Sequence, residues 1–561
     1  MRRNKQLLLG SSLGALVLLV AAAYQENFTQ EWRQIQAAAR NEDGPIPVQL
    51  RQVVNPALGV SDRCVSCHIT MGPGEQNVTG LPILAAHKPV VHDPAEFGCT
   101  VCHGGQGSAT KKEDAHGDVE FWPEPMIPVS MSQAGCGACH APLGVPNRPK
   151  LQQATAAFER LDCLACHRVD ARGGTLRPGG GGMEGPDLSR AGIAGYDNGW
   201  YAKHLRRRAE AGDGPWKDSF GEINASDLEL LRTYLRLRIS APALVEAKAA
   251  FHSSGCLGCH KVSGVGGEEG PELTRAGEKD PGRVDLEIVP GDPTLANWFA
   301  DHFRSPGGLV AGSQMPALGL TEDDIQLLTM YTLSLRRRDI PGTYLPRDQV
   351  RVTRFAEREF DADGATLFGT FCAGCHGGEG QGRRAPGMAA FPAIGNPDFL
   401  SIAPAALIRE TIRKGRPGRR MPAWDKDGGL RPEEIESIIS YLQSLGGARS
   451  GDRLRIPELR NSESVPRSPI SPTGRRLFES ACSGCHGMNG EGGDGPALNN
   501  AVLLGNATDD YLIATITRGR RGTSMPAFAE ASPVHPSLAP EEIESVAAYI
   551  RSWQVPIGGR Q

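Results

Sequence analysis

No cysteine of this chain is left over. Its 561 residues include 14 cysteines, and every one lies in a CxxCH pentapeptide. A disulfide framework, a separate catalytic thiol and a zinc site completed by lone cysteines are all excluded on that count. Charge of one sign is also lacking. The 60 basic and 64 acidic residues leave a formal net charge of −4, which excludes a nucleic-acid partner by default. Beyond a single apolar run at the N-terminus, no stretch is long enough to cross a membrane. What is plentiful is glycine (70) and proline (42), the composition of a loop-rich chain too long for one core.

The seven pentapeptides are CVSCH (Cys64, Cys67), CTVCH (Cys99, Cys102), CGACH (Cys136, Cys139), CLACH (Cys163, Cys166), CLGCH (Cys256, Cys259), CAGCH (Cys372, Cys375) and CSGCH (Cys482, Cys485). One copy is ambiguous between a redox pair, half a zinc knuckle and a haem attachment site. Seven copies with no stray cysteine favour the last, because two thiols add across the two haem vinyl groups and the next residue, His, is placed to coordinate iron. The expected cofactors are seven covalently attached haem c. The expected proximal ligands are His68, His103, His140, His167, His260, His376 and His486.

MRRNK followed by an apolar run from Leu7 to about Ala23 reads as an export signal with its positive end in the cytoplasm. The run is just long enough to stay as an anchor, and the AAA before Tyr24 also fits a cleavage site. The anchor is favoured because Phe28, Trp32 and Ile35 share a helical stripe suited to a membrane interface, although a soluble amphipathic helix has the same pattern. The bulk of the chain is expected to be periplasmic or otherwise extracytoplasmic.

Internal repeats divide the remainder. CAGCHGGEGQG, TIRKGRPGRRMPAW and RPEEIESIISYLQSL are answered by CSGCHGMNGEG, TITRGRRGTSMPAF and APEEIESVAAYIRSW. These tandem copies resemble the class I cytochrome c fold. That resemblance implies that Gly364 and Gly474 let the last helix cross closely, with Tyr441 and Tyr549 filling the contact. A second pair is GPDLSRAG at Gly185 with GPELTRAG at Gly270, and WYAKHL at Trp200 with WFADHF at Trp298. The first three motifs are 35 and 37 residues apart, too close for separate helical cores. The expected fold is mainly α. It has a signal-anchor helix (1–25), a juxtamembrane helix and linker (26–60), a loop-rich triple-haem module (61–150) and four cytochrome c-like domains (151–240, 241–345, 346–448 and 472–561). The stretch 449–471, and also 340–348, read as linkers, the former long enough to let the final domain swing.

Three histidines that follow no CxxC, His87, His92 and His116, fall within the triple-haem region and match its three haems as distal ligands. Met315, Met421 and Met525 each precede Pro and follow their CxxCH histidines by 55, 45 and 39 residues, which fits distal ligation of haems five to seven. Haem four has no such Met. His204 is the nearest candidate, but its repeat partner His302 sits in a unit that already has Met315; Lys217, Met183 and an empty position remain open. Arg413, Lys414, Arg416, Arg419, Arg420, Arg518, Arg520 and Arg521 crowd two of the methionines, to hold propionates, to face an acidic partner or simply as solvated charge.

Low-potential bis-histidine sites leading to higher-potential His/Met sites describe an electron conduit with no catalytic residues of its own. VSDRCVSCHITMG, HKPVVHDPAEFGCTVCHGGQGSATKKEDAHG and CGACH resemble the N-terminal module of multihaem cytochromes of bacterial respiratory chains. Some of these serve as the haem c subunit of quinol-oxidising bc-type complexes. The resemblance covers about residues 24–140. It implies cytochrome b and Rieske-type iron–sulfur partners, with a soluble cytochrome or terminal oxidase as acceptor. The competing expectations are a reductase or peroxidase working at an open haem four, and a conduit to extracellular acceptors. Intact mass of the isolated chain is expected to exceed that of the polypeptide by seven haems; any smaller number removes one of the seven assignments.

Overall fold

A computed structural model of the chain describes residues 2–72, 77–87, 90–119, 122–169, 172–173, 185–194, 196–210, 223–238, 241–384, 390–446, 472–532 and 535–554. Met183, Lys217 and the expected linker 449–471 lie outside the described residues. The structure is mainly helical, with an N-terminal apolar helix. Among the described residues the strands form four antiparallel pairs of two or three residues per strand. Two compact units result: Met1–His140 with Arg275–His302 and Thr329–Val350, and Ala141–Thr274 with Phe303–Leu328 and Arg351–Gln561.

In the first unit the apolar run forms the helix Arg2–Phe28, which exposes Leu7, Leu8, Leu9 and Leu16 through Val20. The segment Arg3–Ala38 is long and apolar enough to cross a membrane, and its most apolar window is not buried in protein. The expected interfacial stripe is corrected. The helix stops at Phe28, which is 65% exposed, whereas Trp32 and Ile35 on the next helix, Glu31–Ala38, are 6% and 8% exposed. Ile35 packs with Ala39, Ile46, Ile69, Val78 and Leu84, so this second helix belongs to the protein core rather than to a lipid interface.

That small cluster is followed by 3₁₀ segments and short α-turns as far as His140, with no α-helix longer than five residues among the described residues there. Residues 340–348, expected as a linker, instead strap this module. Asn55 Nδ2 donates to the Tyr344 hydroxyl at 3.0 Å, and the Tyr344 ring meets Phe97 edge-on at 5.5 Å. Arg338 Nη2 donates to the Thr100 carbonyl at 3.3 Å.

In the second unit helices pack in pairs. Arg148–Arg160 lies against Ala225–Leu237, with Phe158 stacked on Tyr234 at 4.1 Å. Gly364–Phe371 crosses Pro432–Leu445, and Pro472–Ala481 crosses Pro540–Arg551. The crossings are as tight as the resemblance implied. A Cβ on Gly364 would strike the Ser437 carbonyl and come within 2.7 Å of Tyr441 Cβ; one on Gly474 would strike the Ser545 carbonyl and reach Tyr549 Cβ at 3.3 Å. Backbone cannot yield as a side-chain tip can. Gly474→Ala is therefore expected to cost about 1–3 kcal/mol in the last domain, read from its denaturant midpoint. Gly505→Ala, where a Cβ meets nothing within 4 Å, is expected to be harmless.

Candidate metal centres

Each CxxCH is a single tight turn. The backbone N–H of the His donates to the carbonyl of the first Cys in all seven motifs, at 2.8 to 3.0 Å. The turn brings both thiols and the imidazole to one side of the chain. Burial pushes the Cys163, Cys256 and Cys372 thiols up to about 12, so they stay neutral and behave as apolar groups.

Four of the proximal rings are aimed by a proline carbonyl. Nδ1 of His167 bonds Pro186 O at 2.8 Å, His260 bonds Pro271 O at 2.9 Å, His376 bonds Pro392 O at 2.9 Å and His486 bonds Pro496 O at 2.8 Å. With Nδ1 acting as donor, Nε2 is left as a lone-pair donor for a metal. Three of these prolines follow glycine, and a Cβ there would collide with the ring, at 2.6 Å for Gly185 on His167 and 2.7 Å for Gly495 on His486. The repeated Gly-Pro in GPDL and GPEL is visible in the sequence, but its job of aiming the imidazole was not read from it.

The spare histidines stand opposite the proximal ones. Ring centres are 6.1 Å apart for His87 and His103, 5.9 Å for His92 and His140, and 6.2 Å for His167 and His204. A metal–imidazole bond of ~2 Å on each side, plus the ring's own half-width, accounts for such a gap. His116 is near His68. Burial, and then the His116 charge, holds His68 below the ordinary imidazole range; burial and then His87 does the same to His103, and burial and then His140 to His92. Neutral imidazole is the ligating form. These donor sets fit haem iron held between two histidines, with the flanking thiols in place for attachment.

His204 is stacked on Trp200 at 5.1 Å and 5°, and its repeat partner His302 on Trp298 at 5.3 Å and 7°. The indole fixes the ring plane, a contact that the repeated W-x-x-x-H spacing records. Met421 and Met525 lie half-buried in matching loops: Arg416 N–H donates to Met421 O at 2.8 Å and Arg520 N–H to Met525 O at 2.9 Å. Met315 is half-buried as well, with its N–H on Ser313 Oγ at 3.3 Å. Four of the eight basic residues around these loops have carboxylate partners within the chain. Arg413 and Lys414 pair with Glu410, Arg420 with Glu269, and Arg521 with Asp398, while Arg520 donates to the Tyr511 hydroxyl at 2.8 Å.

Neighbouring motifs also touch. Buried Asp62, two residues before the first motif, accepts from the N–H groups of Cys99 and Thr100 at 2.5 and 2.8 Å and from Thr100 Oγ1 at 2.8 Å. The Cys64 side chain lies beside that of Cys99, and Cys259 beside Cys375.

Known proteins resemble the C-terminal part. The family described as cytochrome c matches residues 244–336 and 362–446, and that described as cytochrome c oxidase, cbb3-type, subunit III matches 471–550. The cbb3-type cytochrome c oxidase subunit FixP of Bradyrhizobium sp. (strain ORS 278) is 32% identical over 34% of this chain and 60% of its own length. Subunit CcoP of Azospirillum sp. (strain B510) is 28% identical over 34% and 61%. The chain thus spans about 60% of the length of these relatives. Among solved structures, the reducing HAO-like protein complex of Kuenenia stuttgartiensis shares 23% identity over 34% of this chain and 96% of its own, at a TM-score of 0.23. Replacing His204 by Ala is expected to convert one low-spin haem to a high-spin form that binds carbon monoxide, seen by electron paramagnetic resonance and optical difference spectra; His302→Ala is expected to leave haem four low-spin.

Proposed function

We propose that this multihaem c-type cytochrome, whose domains carry covalent haem c and transport electrons, acts as a seven-haem relay on the outer face of the cytoplasmic membrane. The bound haem supplies a one-electron iron couple, and the chain's own residues set its ligands and its neighbours. The observation that carries this reading is the opposition of histidines. His87, His92 and His204 each face a proximal ring across a gap sized for one metal, and His116 lies beside His68. A closed axial position suits electron transfer and leaves no seat for substrate. The same geometry speaks against an enzyme working at haem four, since His204 stands where the open position would have to be.

Met315, Met421 and Met525 then serve haems five to seven, where thioether ligation raises the potential. Electrons enter at the triple-haem module and leave through the C-terminal domains. The helix Arg2–Phe28 supports membrane attachment by its length and its exposed leucines. On the acceptor side, likeness to subunits named for cbb3-type oxidase favours a terminal oxidase. On the donor side, cytochrome b and Rieske-type partners rest on the likeness of residues 24–140 to bc-type haem c subunits alone; the matched family models begin at residue 244.

The test is purification of the tagged chain from native membranes, followed by carbon monoxide titration of the chain separated from its partners. Co-purifying oxidase or cytochrome b subunits, with no carbon monoxide spectrum from the separated chain, are expected. A chain that comes alone and binds carbon monoxide stoichiometrically at one haem would overturn the relay.

A further inference from the structure

The proximal histidines are not all aimed by the same kind of group. Four give their Nδ1 proton to a proline carbonyl, which is neutral. His140 differs: its Nδ1 lies 2.9 Å from Oδ2 of Asp348, a residue 208 positions later in the chain. The two side chains are 21% and 22% exposed, so water screens the carboxylate only in part. The other Asp348 oxygen, Oδ1, accepts from the Gln349 backbone N–H at 2.9 Å, which fixes the carboxylate in place. Arg338, on the same strap, turns to the Thr100 carbonyl and to Glu124 at 3.9 Å. On the far side of the His140 ring stands His92, with centres 5.9 Å apart.

We propose that Asp348 is a positioning residue for haem three that lowers its reduction potential. This rests on His140 and His92 being the axial pair of that haem. Ferric iron carries one more positive charge than ferrous iron. A carboxylate bonded to the ligand's Nδ1–H draws that proton, makes Nε2 a stronger electron donor and adds negative charge nearby, and all three favour the ferric form. One electron is exchanged and no bond is broken. A neutral proline carbonyl at the same place polarises the ring far less. The strap 340–348, which holds Tyr344 on Asn55 and Phe97, thus also sets the electronics of the module it crosses.

The experiment is a redox titration of the full-length protein and of its Asp348→Asn and Asp348→Leu variants, with electron paramagnetic resonance on the oxidised samples. Asn keeps an acceptor without charge, and Leu removes both. One of the low-potential steps is expected to rise, with the ferric-to-ferrous equilibrium shifted about tenfold in the Leu variant, or ~59 mV for one electron. The shift is expected to be smaller in the Asn variant, with the low-spin signals kept. No movement in either variant overturns the proposal. So does a haem turned high-spin, because Asp348 would then hold the ring on the iron rather than tune it. Failure of the ligand assignment shows separately: a wild-type spectrum lacking bis-histidine signals rejects the His92 pairing whatever Asp348 does.

Discussion

The structure depends on the aim of an imidazole. A CxxCH turn brings two thiols and a histidine to one side, but the ring can still rotate about its bonds. A hydrogen bond at Nδ1 removes that freedom and fixes which nitrogen is left for a metal. In His167, His260, His376 and His486 the acceptor is a proline carbonyl, a group that carries no N–H of its own and sits in a restricted backbone. The residue before it is glycine in three cases because a side chain would fill the ring's space. Near the fixed ring of His167 stands the helix Asn198–Glu210, which carries Trp200 and His204.

Much of this was legible in the sequence, for a physical reason: local contacts leave local spacings. The CxxCH turns and the methionine loops involve residues at fixed offsets that recur in a tandem copy, whereas the glycine-to-tyrosine helix crossings at Gly364 and Gly474 join distant residues and followed from the resemblance to class I cytochrome c. His204 was the nearest candidate for haem four, and its place opposite His167 shows why repeat logic alone left it open. Its counterpart His302 stacks on Trp298 just as His204 stacks on Trp200, so the two look alike in sequence.

Contacts between distant parts of the chain were not legible. Pro, Gly and Arg in IPGTYLPRD describe a flexible connector by composition, yet Tyr344 and Asp348 reach residues 289 and 208 positions away. Nothing in the spacing of an aspartate announces which histidine it will meet. Asp62 is a similar case, ordinary in sequence but buried and clamped on Cys99 and Thr100. Trp32 was misread for the opposite reason. Its helical stripe was real, but amphipathicity shows only that a face is covered, and here protein rather than lipid covers it.

The meeting of the fifth and sixth motifs bears on how the molecule can be made. Gly255 and Gly374 lie back to back, so close that a Cβ on either would strike the other's backbone. Cys259 lies beside Cys375 at this junction, with Cys256 and Cys372 half-buried next to it. If both motifs carry haem, a rigid macrocycle of that width has no path into a junction already closed by backbone on backbone. The order of assembly that follows is attachment first, with the two backbones closing on each other only afterwards.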